Sequence, residues 1–283
     1  DPAVARGKAV EHSPRERMRK VRQVVFMDDV PTQNIPCLDL VQKVTLLSED
    51  RQMTLQWDDG MDFGVSLNTR GPRRISYEVI SEVEEMNPDI LNRAGWDYSS
   101  LPARDKSMLI YQELRPGTIA LVKEVVAGKK TPYETMTALN EWLSKAPFSY
   151  TLNLPPLPPD HPIDYFLTTS RSGHCELFAS ALALTARSCG IPARVVSGYR
   201  GGEFSVSEQA YTIRASMAHL WVEAYFEGIG WVRFDPSPQV STEVTGLNRV
   251  KQFWSSYLLV GKMFWYQQVM AFRGGWRLDK LFR

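Results

Sequence analysis

Residues 172–238 constrain the fold of this chain more than any other segment, because they indicate one helix followed only by strands. In Cys175–Ser188 the apolar side chains recur three and four positions apart, as in an amphipathic helix, and Gly190 with Pro192 prevents its continuation. The strand-like segments after it are Ala193–Tyr199, Tyr211–Arg214, Met217–Phe226 and Trp231–Asp235. A helix followed by antiparallel strands is typical of an α+β layer, which is the fold class that we predict.

The first part of the chain favours a small antiparallel sheet or sandwich that supports or covers the rest. Short runs of β-branched and aromatic residues, bounded by turn residues, are Val21–Phe26, Leu40–Leu47, Gln52–Trp57 and Ile75–Ile80. The charged residues 1–20 are interpreted as an arm, and residues 81–116 as irregular.

Two helices are predicted between these regions. Thr118–Ala127 is apolar at helical spacing. Thr131 caps the next helix, with Pro132 at its first position and Glu134 three residues after the cap, as in a capping box. Phe148–Leu152 then reads as a strand.

Composition excludes several classes of protein. The 33 basic and 32 acidic residues nearly cancel, which argues against a nucleic-acid partner held by a basic surface. No run of about 18 uncharged apolar residues is present, so no membrane-spanning helix is predicted in this sequence. Four histidines and three cysteines lack zinc-ligand spacing, and there is no calcium loop of Asp and Asn residues. We therefore expect neither a metal nor a cofactor.

Cys175 is the candidate nucleophile because it lies in the first turn of the predicted helix. A helix N-terminus presents unpaired N–H groups and partial positive charge, and both stabilise the reactive thiolate. Gly173, which precedes it, is expected to let a substrate approach closely. Cys37 and Cys189 lack this context and are interpreted as structural, which is also the alternative for Cys175.

His219 has a possible orienting partner in Asp235, at the end of the last strand. A three-residue loop at 227–229 would make the two residues diagonal neighbours on one face of the hairpin. A four-residue loop would place them on opposite faces. In a thiol acyl-transfer site the cysteine attacks a carbonyl, the histidine moves the proton and the acid fixes the imidazole tautomer. The sequence permits this arrangement but does not require it.

Four sequence blocks resemble the transglutaminase-like superfamily and occur in that family's order. They are 172–181 (SGHCELFASA), 189–199 (CGIPARVVSGY), 218–223 (AHLWVE) and 231–237 (WVRFDPS). The resemblance covers about residues 118–238 and implies a papain-like core, in which a nucleophile helix packs on an antiparallel sheet. It also implies that Cys175 is the nucleophile, His219 the base and Asp235 the orienting acid.

The sequence departs from the family pattern beside the nucleophile, at His174 and Leu177. We expect His174 to point away from the thiol and to lie at the rim of the site. Glu176 is expected to complement the charge of the helix N-terminus rather than to contact a substrate. A second hydrogen-bond donor to the oxyanion is expected upstream, and Tyr150 and Asn153 remain open as candidates.

The resemblance implies an enzyme acting on protein or peptide substrates. One interpretation is a protein-glutamine gamma-glutamyltransferase, in which an amine resolves the thioester. Another is a cysteine protease or amidase acting on peptide or cell-wall amides, in which water resolves it. A third is a non-catalytic binding module. Because the acyl acceptor distinguishes the first two, the three site residues cannot separate them.

The four blocks resemble most closely those of bacterial membrane-anchored transglutaminase-like proteins, in which this unit lies outside the cytoplasm. We therefore expect an extracytoplasmic domain, periplasmic or at the cell surface, of a membrane-anchored parent chain. The predicted regions are an arm at 1–20, a β-rich accessory domain at 21–116, the catalytic core at 117–240 and an aromatic tail at 241–283. In the tail, residues 250–272 would form one apolar stripe on a helix, which either packs on the core, as we prefer, or lies at a membrane interface.

Overall fold

The computed structural model describes residues 3–5, 18–27, 34–38, 40–47, 55–57, 65–67, 75–84, 87–99, 101–103, 105–110, 114–154 and 156–238. These ranges combine helices with mainly antiparallel sheets, and the predicted α+β class is confirmed. No helix within them is both long and apolar enough to cross a membrane. The tail at 241–283 lies outside the described residues.

In the part of the chain that the structure describes, six strands precede the first helix. They are β1 (Ala3–Ala5), β2 (Met18–Met27), β3 (Val41–Leu46), β4 (Leu55–Trp57), β5 (Val65–Leu67) and β6 (Ile75–Glu84). Four of them form an antiparallel sheet in the order β1-β3-β6-β2, and β4 pairs with β5. The predicted antiparallel sheet is confirmed. Strand β1 and the start of β2 fall within the predicted arm, because pairing with β3 and β6 satisfies their backbone groups.

The core of this sheet follows the two-residue period of its strands. On β6, Ile75, Tyr77 and Val79 are buried, and they belong to one cluster with Val41 and Val44 of β3. The Tyr77 hydroxyl donates a hydrogen bond to the carbonyl of Pro36 at 2.6 Å. The polar atom of this buried side chain is therefore paired.

The described residues after β6 contain five α-helices. They are α1 (Pro88–Leu91), α2 (Pro116–Val125), α3 (Pro132–Ser144), α4 (Pro162–Tyr165) and α5 (Cys175–Ser188). Helix α5 has the predicted bounds, whereas α1 corrects the interpretation of 81–116 as irregular. Asn87 caps α1 by accepting a hydrogen bond from the N–H of Asp89 at 2.9 Å, and Pro88 occupies its first position.

The predicted capping box begins α3. Thr131 Oγ1 accepts a hydrogen bond from the Glu134 N–H at 3.1 Å, and the Glu134 carboxylate accepts from the Thr131 N–H at 3.4 Å. The same carboxylate also accepts from the Lys130 N–H at 2.7 Å. This local sequence signal therefore fixes the start of the helix.

Seven further strands lie in the described residues after α3. They are β7 (Ser149–Tyr150), β8 (Ser172–Gly173), β9 (Ala193–Tyr199), β10 (Glu203–Ser205), β11 (Ala210–Thr212), β12 (Ala218–Phe226) and β13 (Gly230–Phe234). The main sheet has the order β13-β12-β9, β10 and β11 form a hairpin, and β7 pairs parallel with β8. Strand β12 starts one residue later than predicted because Met217 ends a 3-10 turn, Ala215–Met217.

The described residues divide into two compact units, neither of which is continuous in sequence. The first unit takes its residues from 1–139, Ala183–Arg194 and Glu223–Arg233, and the second from Asn140–Leu182, Val195–Val222 and 234–238. The regional boundaries given above from sequence stay predictions.

An aromatic cluster forms the core of the second unit. Phe148, Phe166 and Phe178 have ring centroids between 5.0 and 6.3 Å apart. Trp142 adds an edge contact to Phe148 at 5.2 Å. Because Phe178 lies one turn after Cys175, this cluster anchors the start of α5.

Candidate active site

His174 caps the helix that begins at Cys175. Its carbonyl accepts hydrogen bonds from the N–H groups of Leu177 and Phe178 at 3.0 and 3.3 Å. Its ring Nδ1 accepts from the Glu176 N–H at 3.2 Å, as the side chain of an N-cap residue does. Cys175 is only 1% exposed, so its thiol is held in a largely dehydrated position.

His219 and Asp235 form a direct pair. Nε2 of the imidazole lies 2.8 Å from Oδ2 of the carboxylate. Asp235 Oδ1 accepts a hydrogen bond from the Ser237 N–H at 3.1 Å, which fixes the carboxylate plane. The loop between β12 and β13 has three residues, 227–229. This is the loop length at which the two residues lie on the same face of the hairpin. With Nε2 engaged by Asp235, the other ring nitrogen is left for the thiol.

Hydrogen-bond donors of His174, His219 and Leu220 act on the Cys175 thiol. Burial alone raises the pKa of this thiol. The opposing effects are stronger and lower the pKa to about 6; they come from hydrogen bonds with His174 and His219, the positive charge of His219 and the N–H of Leu220. The reactive thiolate is therefore the stable form near neutral pH.

The same interactions hold the proton on His219. Burial lowers the pKa of the imidazole, but hydrogen bonds and opposite charge from Asp235 and Cys175 raise it to about 9. For Asp235, burial acts to raise the pKa, and the stronger combined effect of His219, the Ser237 N–H and Arg200 lowers it. Thiolate, imidazolium and carboxylate thus form one charged row.

Arg200 is a fourth member of this row that sequence reasoning missed. Its Nη1 lies 2.9 Å from Asp235 Oδ2 and 3.4 Å from His219 Nε2. Two cationic groups therefore share one carboxylate oxygen. The sequence feature that could have indicated Arg200 is its position. It directly follows Tyr199, the last residue of the second block that resembles the family.

Tyr150 lies beside Cys175, whereas Asn153 has no described contact with it. Burial, and after it the negative charge at Cys175, raises the pKa of Tyr150 to about 12. Asn153 lies in an exposed turn, where its N–H donates to Thr151 Oγ1 at 3.1 Å. Of the two candidates for the upstream donor, only Tyr150 is thus placed beside the thiol.

The expectation that His174 lies at the rim and points away from the thiol is wrong. Its side chain is buried and hydrogen-bonded to Cys175, because capping the Glu176 N–H turns the ring toward the helix start. Its Nε2 lies 3.5 Å from Glu176 Oε2. Glu176 therefore contacts the neighbouring histidine as well as lying in the first turn of the helix.

Gly173 is explained by packing rather than by substrate approach. A Cβ atom at this position would lie 2.6 Å from Leu177 Cδ1 and 3.3 Å from a ring carbon of Phe166. Trp221, which is 8% exposed, similarly covers Gly198. A Cβ atom at Gly198 would lie 2.5 Å from the Trp221 ring. Both glycines allow close approach of buried side chains.

The other cysteines have different surroundings. Cys37 and Cys189 are half-buried, and none of the three cysteines forms a disulfide. Burial raises the pKa of Cys189. Within the ranges that the structure describes, no cluster of three or more potential ligands would hold a metal ion.

A family model and two known proteins match this chain, and these matches agree with one another. Residues 119–236 match the sequence model of the Transglutaminase-like superfamily. A protein-glutamine gamma-glutamyltransferase of Pseudomonas aeruginosa is 32% identical over 201 residues, which are 70% of this chain and 29% of that protein. YebA of Bacillus subtilis is 31% identical over 140 residues, 47% of this chain and 19% of that protein. The chain thus spans less than a third of either relative.

A solved structure shares the fold over most of the chain. The periplasmic domain of TgpA from Pseudomonas aeruginosa, crystallised with ethylmercury, superimposes with a TM-score of 0.60 at 29% identity. The match covers 81% of this chain and 76% of that domain. A second crystal structure of the same domain gives a TM-score of 0.59 at 28% identity, covering 77% of this chain and 69% of that one.

Proposed function

Because residues 119–236 form a domain of the transglutaminase-like superfamily, we propose that this chain catalyses thiol-dependent acyl transfer from glutamine side chains of proteins or peptides. Cys175 is the nucleophile, His219 the proton carrier and Asp235 the group that orients the imidazole. The named activity of the Pseudomonas relative, a protein-glutamine gamma-glutamyltransferase, supports glutamine as the acyl donor.

The observation that carries this proposal is the row of Cys175, His219 and Asp235. The hydrogen bond of 2.8 Å between His219 Nε2 and Asp235 Oδ2 fixes the ring. Hydrogen bonding to the same ring, and its positive charge, lower the pKa of the Cys175 thiol. Without such a partner, burial raises the pKa of a cysteine, as it does for the half-buried Cys189. The thiolate of Cys175 is thus available at the pH at which an amide is to be attacked.

In the first half of the reaction, the thiolate attacks the carbonyl carbon of the glutamine carboxamide and forms an S–C bond. The resulting tetrahedral intermediate collapses as the C–N bond breaks. His219 gives its proton to the nitrogen, which leaves as ammonia, and a thioester remains on Cys175.

In the second half, a primary amine attacks the thioester. The now neutral His219 removes a proton from the amine, the S–C bond breaks, and the thiolate–imidazolium pair returns. The product is an amide of the amine with the glutamyl group. Water in place of the amine would give hydrolysis instead.

The same proposal includes a location outside the cytoplasm, in a membrane-anchored parent chain. What supports it is the similarity to the periplasmic domain of TgpA. A protein substrate at the cell surface or in the periplasm and an amine acceptor on a second molecule would suit such a placement.

The test measures incorporation of a dansylated primary amine into a glutamine-containing peptide together with release of free ammonia. We expect both in equal amounts, with a loss of at least about 10³-fold in Cys175→Ser. Cys189→Ser is the matched control and should retain activity, because that thiol lies at the other end of α5. Ammonia release without amine incorporation would identify water as the acceptor, and the absence of both would overturn the proposal.

A further inference from the structure

Arg200 is held beside the charged row of Cys175, His219 and Asp235 by its backbone. It directly follows β9, and its N–H donates a hydrogen bond to the carbonyl of Met217 at 2.9 Å, just before β12 begins. The chain turns away at Gly201, whose φ of +88° favours glycine. Arg200 thus lies opposite a residue two positions before His219.

The guanidinium of Arg200 and the imidazole of His219 contact the same carboxylate oxygen. Arg200 Nη1 lies 2.9 Å from Asp235 Oδ2, and His219 Nε2 lies 2.8 Å from it. These two nitrogens are 3.4 Å apart. When the imidazole is protonated, both nitrogens donate to this oxygen and the two positive charges repel each other.

The pair of His219 and Asp235 is held in place without the guanidinium. Asp235 Oδ1 accepts a hydrogen bond from the Ser237 N–H at 3.1 Å, and Oδ2 accepts from His219. The side chain of Arg200 is 36% exposed, against 19% for Asp235 and 9% for His219. Arg200 therefore lies at the more exposed side of the pair, where it adds a positive charge.

The other titratable groups around His219 belong to α5 and to the segments beside it. The Cys175 thiolate at the start of α5 favours the imidazolium by its negative charge. His174 acts on the same thiol. Tyr150 of β7 has a pKa of about 12, raised chiefly by burial, and is neutral where imidazoles titrate. Arg200 is thus a cation that contacts both the imidazole and its carboxylate.

A positive charge beside the carboxylate weakens the attraction that Asp235 exerts on the imidazolium. A guanidinium group keeps its charge across the pH range in which imidazoles titrate, so this effect is the same throughout that range. Asp235 and Cys175 favour the protonated form of His219, and Arg200 opposes them. The proton of His219 is thereby easier to release.

We propose that Arg200, by sharing Oδ2 of Asp235 with His219, makes the His219 imidazolium a stronger acid. This inference rests on the proposed acyl-transfer function. As the tetrahedral intermediate collapses, the C–N electron pair moves to the nitrogen, and the proton of His219 completes ammonia. The neutral imidazole keeps its N–H toward Asp235. Arg200 takes part in none of these bond changes and is a positioning residue.

A purely structural role for Arg200 predicts the opposite change in the pKa of His219. If the guanidinium only held Asp235 in place, its loss would loosen the hydrogen bond to the imidazole, and the pKa would fall toward the ordinary value of about 6.5. If its charge opposes the imidazolium, its loss would raise that pKa. The sign of the shift therefore separates the two roles.

The experiment follows the titration of the His219 ring by heteronuclear NMR, with the signal assigned by its loss in His219→Ala. The chains carry Cys175→Ser, so that no thiolate titrates together with the imidazole. We expect Arg200→Gln to raise the pKa of His219 by about 0.5–1 unit, a modest shift because the charge is partly exposed and screened. Arg200→Lys keeps the charge and should stay within about 0.3 unit of the chain with Arg200.

Arg214→Gln is the matched control for loss of charge. Arg214 belongs to the same unit and pairs with Glu203 at 3.0 Å, with both side chains exposed. Its substitution should leave the pKa of His219 unchanged. In chains with Cys175, the alkaline limb of ammonia release should move to higher pH in Arg200→Gln, but neither in Arg200→Lys nor in Arg214→Gln.

Two results would overturn the inference while leaving the proposed function intact. One is an unchanged or lowered pKa of His219 in Arg200→Gln, and the other is a shift in Arg200→Lys as large as that in Arg200→Gln. A wild-type protein that neither releases ammonia nor incorporates amine would instead remove the proposed function, and with it the role of His219 as the acid that Arg200 strengthens.

Discussion

The hydrogen-bond donors and the charge of His219 beside the Cys175 thiol define the pH range in which this thiol is expected to react. The pKa of the thiol is lowered to about 6, so the thiolate is lost as pH falls through that value. The pKa of His219 is raised to about 9, so the proton needed by the leaving group is lost as pH rises through that value. Because the two groups interact, both values belong to the pair.

The rate of amine incorporation should therefore follow a bell-shaped pH profile with limbs near pH 6 and pH 9. Alkylation by iodoacetamide should rise through the lower limb only, since it needs no proton.

His219→Ala removes a hydrogen bond and a positive charge while burial remains, so the pKa of Cys175 should rise. We expect alkylation near pH 7 to fall about tenfold or more and turnover to be abolished. Unchanged activity in His219→Ala would refute the mechanism.

The sequence predicts Cys175, His219 and Asp235 as the site residues, because each belongs to a recognisable block and to a known kind of chemistry. It does not identify the roles of His174 and Arg200. The direction of the His174 ring depends on a hydrogen bond to the Glu176 N–H, and that of Arg200 on the carboxylate of Asp235. Long or cap-forming side chains are oriented by partners that a linear pattern does not reveal.

At the scale of the elements, the packing of β9 against β12 depends on Gly198. In Gly198→Ala the new Cβ atom would lie 2.5 and 3.0 Å from ring carbons of the buried Trp221, which has little room to move. We expect the free energy of unfolding to fall by about 1–3 kcal/mol, measured by urea denaturation.

Gly117→Ala is the control for this substitution. Nothing lies within 4 Å of a Cβ atom there, and the residue is in the first turn of α2. It should leave stability unchanged or raise it by up to about 1 kcal/mol. Equal stability of the two alanine variants would contradict the packing argument.

The helices that the sequence predicts well have residues at one end that mark where the helix begins or stops. Helix α5 has Gly190 and Pro192 after its last turn, and α3 starts with the Thr131–Glu134 capping box. Strands β5 and β8 were not predicted, because three and two residues hold too little pattern. Such strands are defined by the partner across the ladder, which is distant in sequence.

At the scale of the whole molecule, the role of the aromatic tail stays a prediction from sequence, since residues 241–283 lie outside the described ranges. We expect its apolar stripe to pack on the core. A chain truncated after residue 249 should then melt at a lower temperature than the full chain, and neither should co-sediment with vesicles containing anionic lipid. Binding of the full chain but not the truncated one, with equal melting temperatures, would assign the tail to the membrane interface.

The interleaving of the two units has a consequence for inheritance. Cys175, His219 and Asp235 lie on three separate segments of the second unit, and the segments between them belong to the first. No single stretch of the gene therefore encodes the candidate site alone, and recombination that transfers its three segments together also transfers residues 183–194 and 223–233 of the first unit. The sequences of the two units are therefore inherited together.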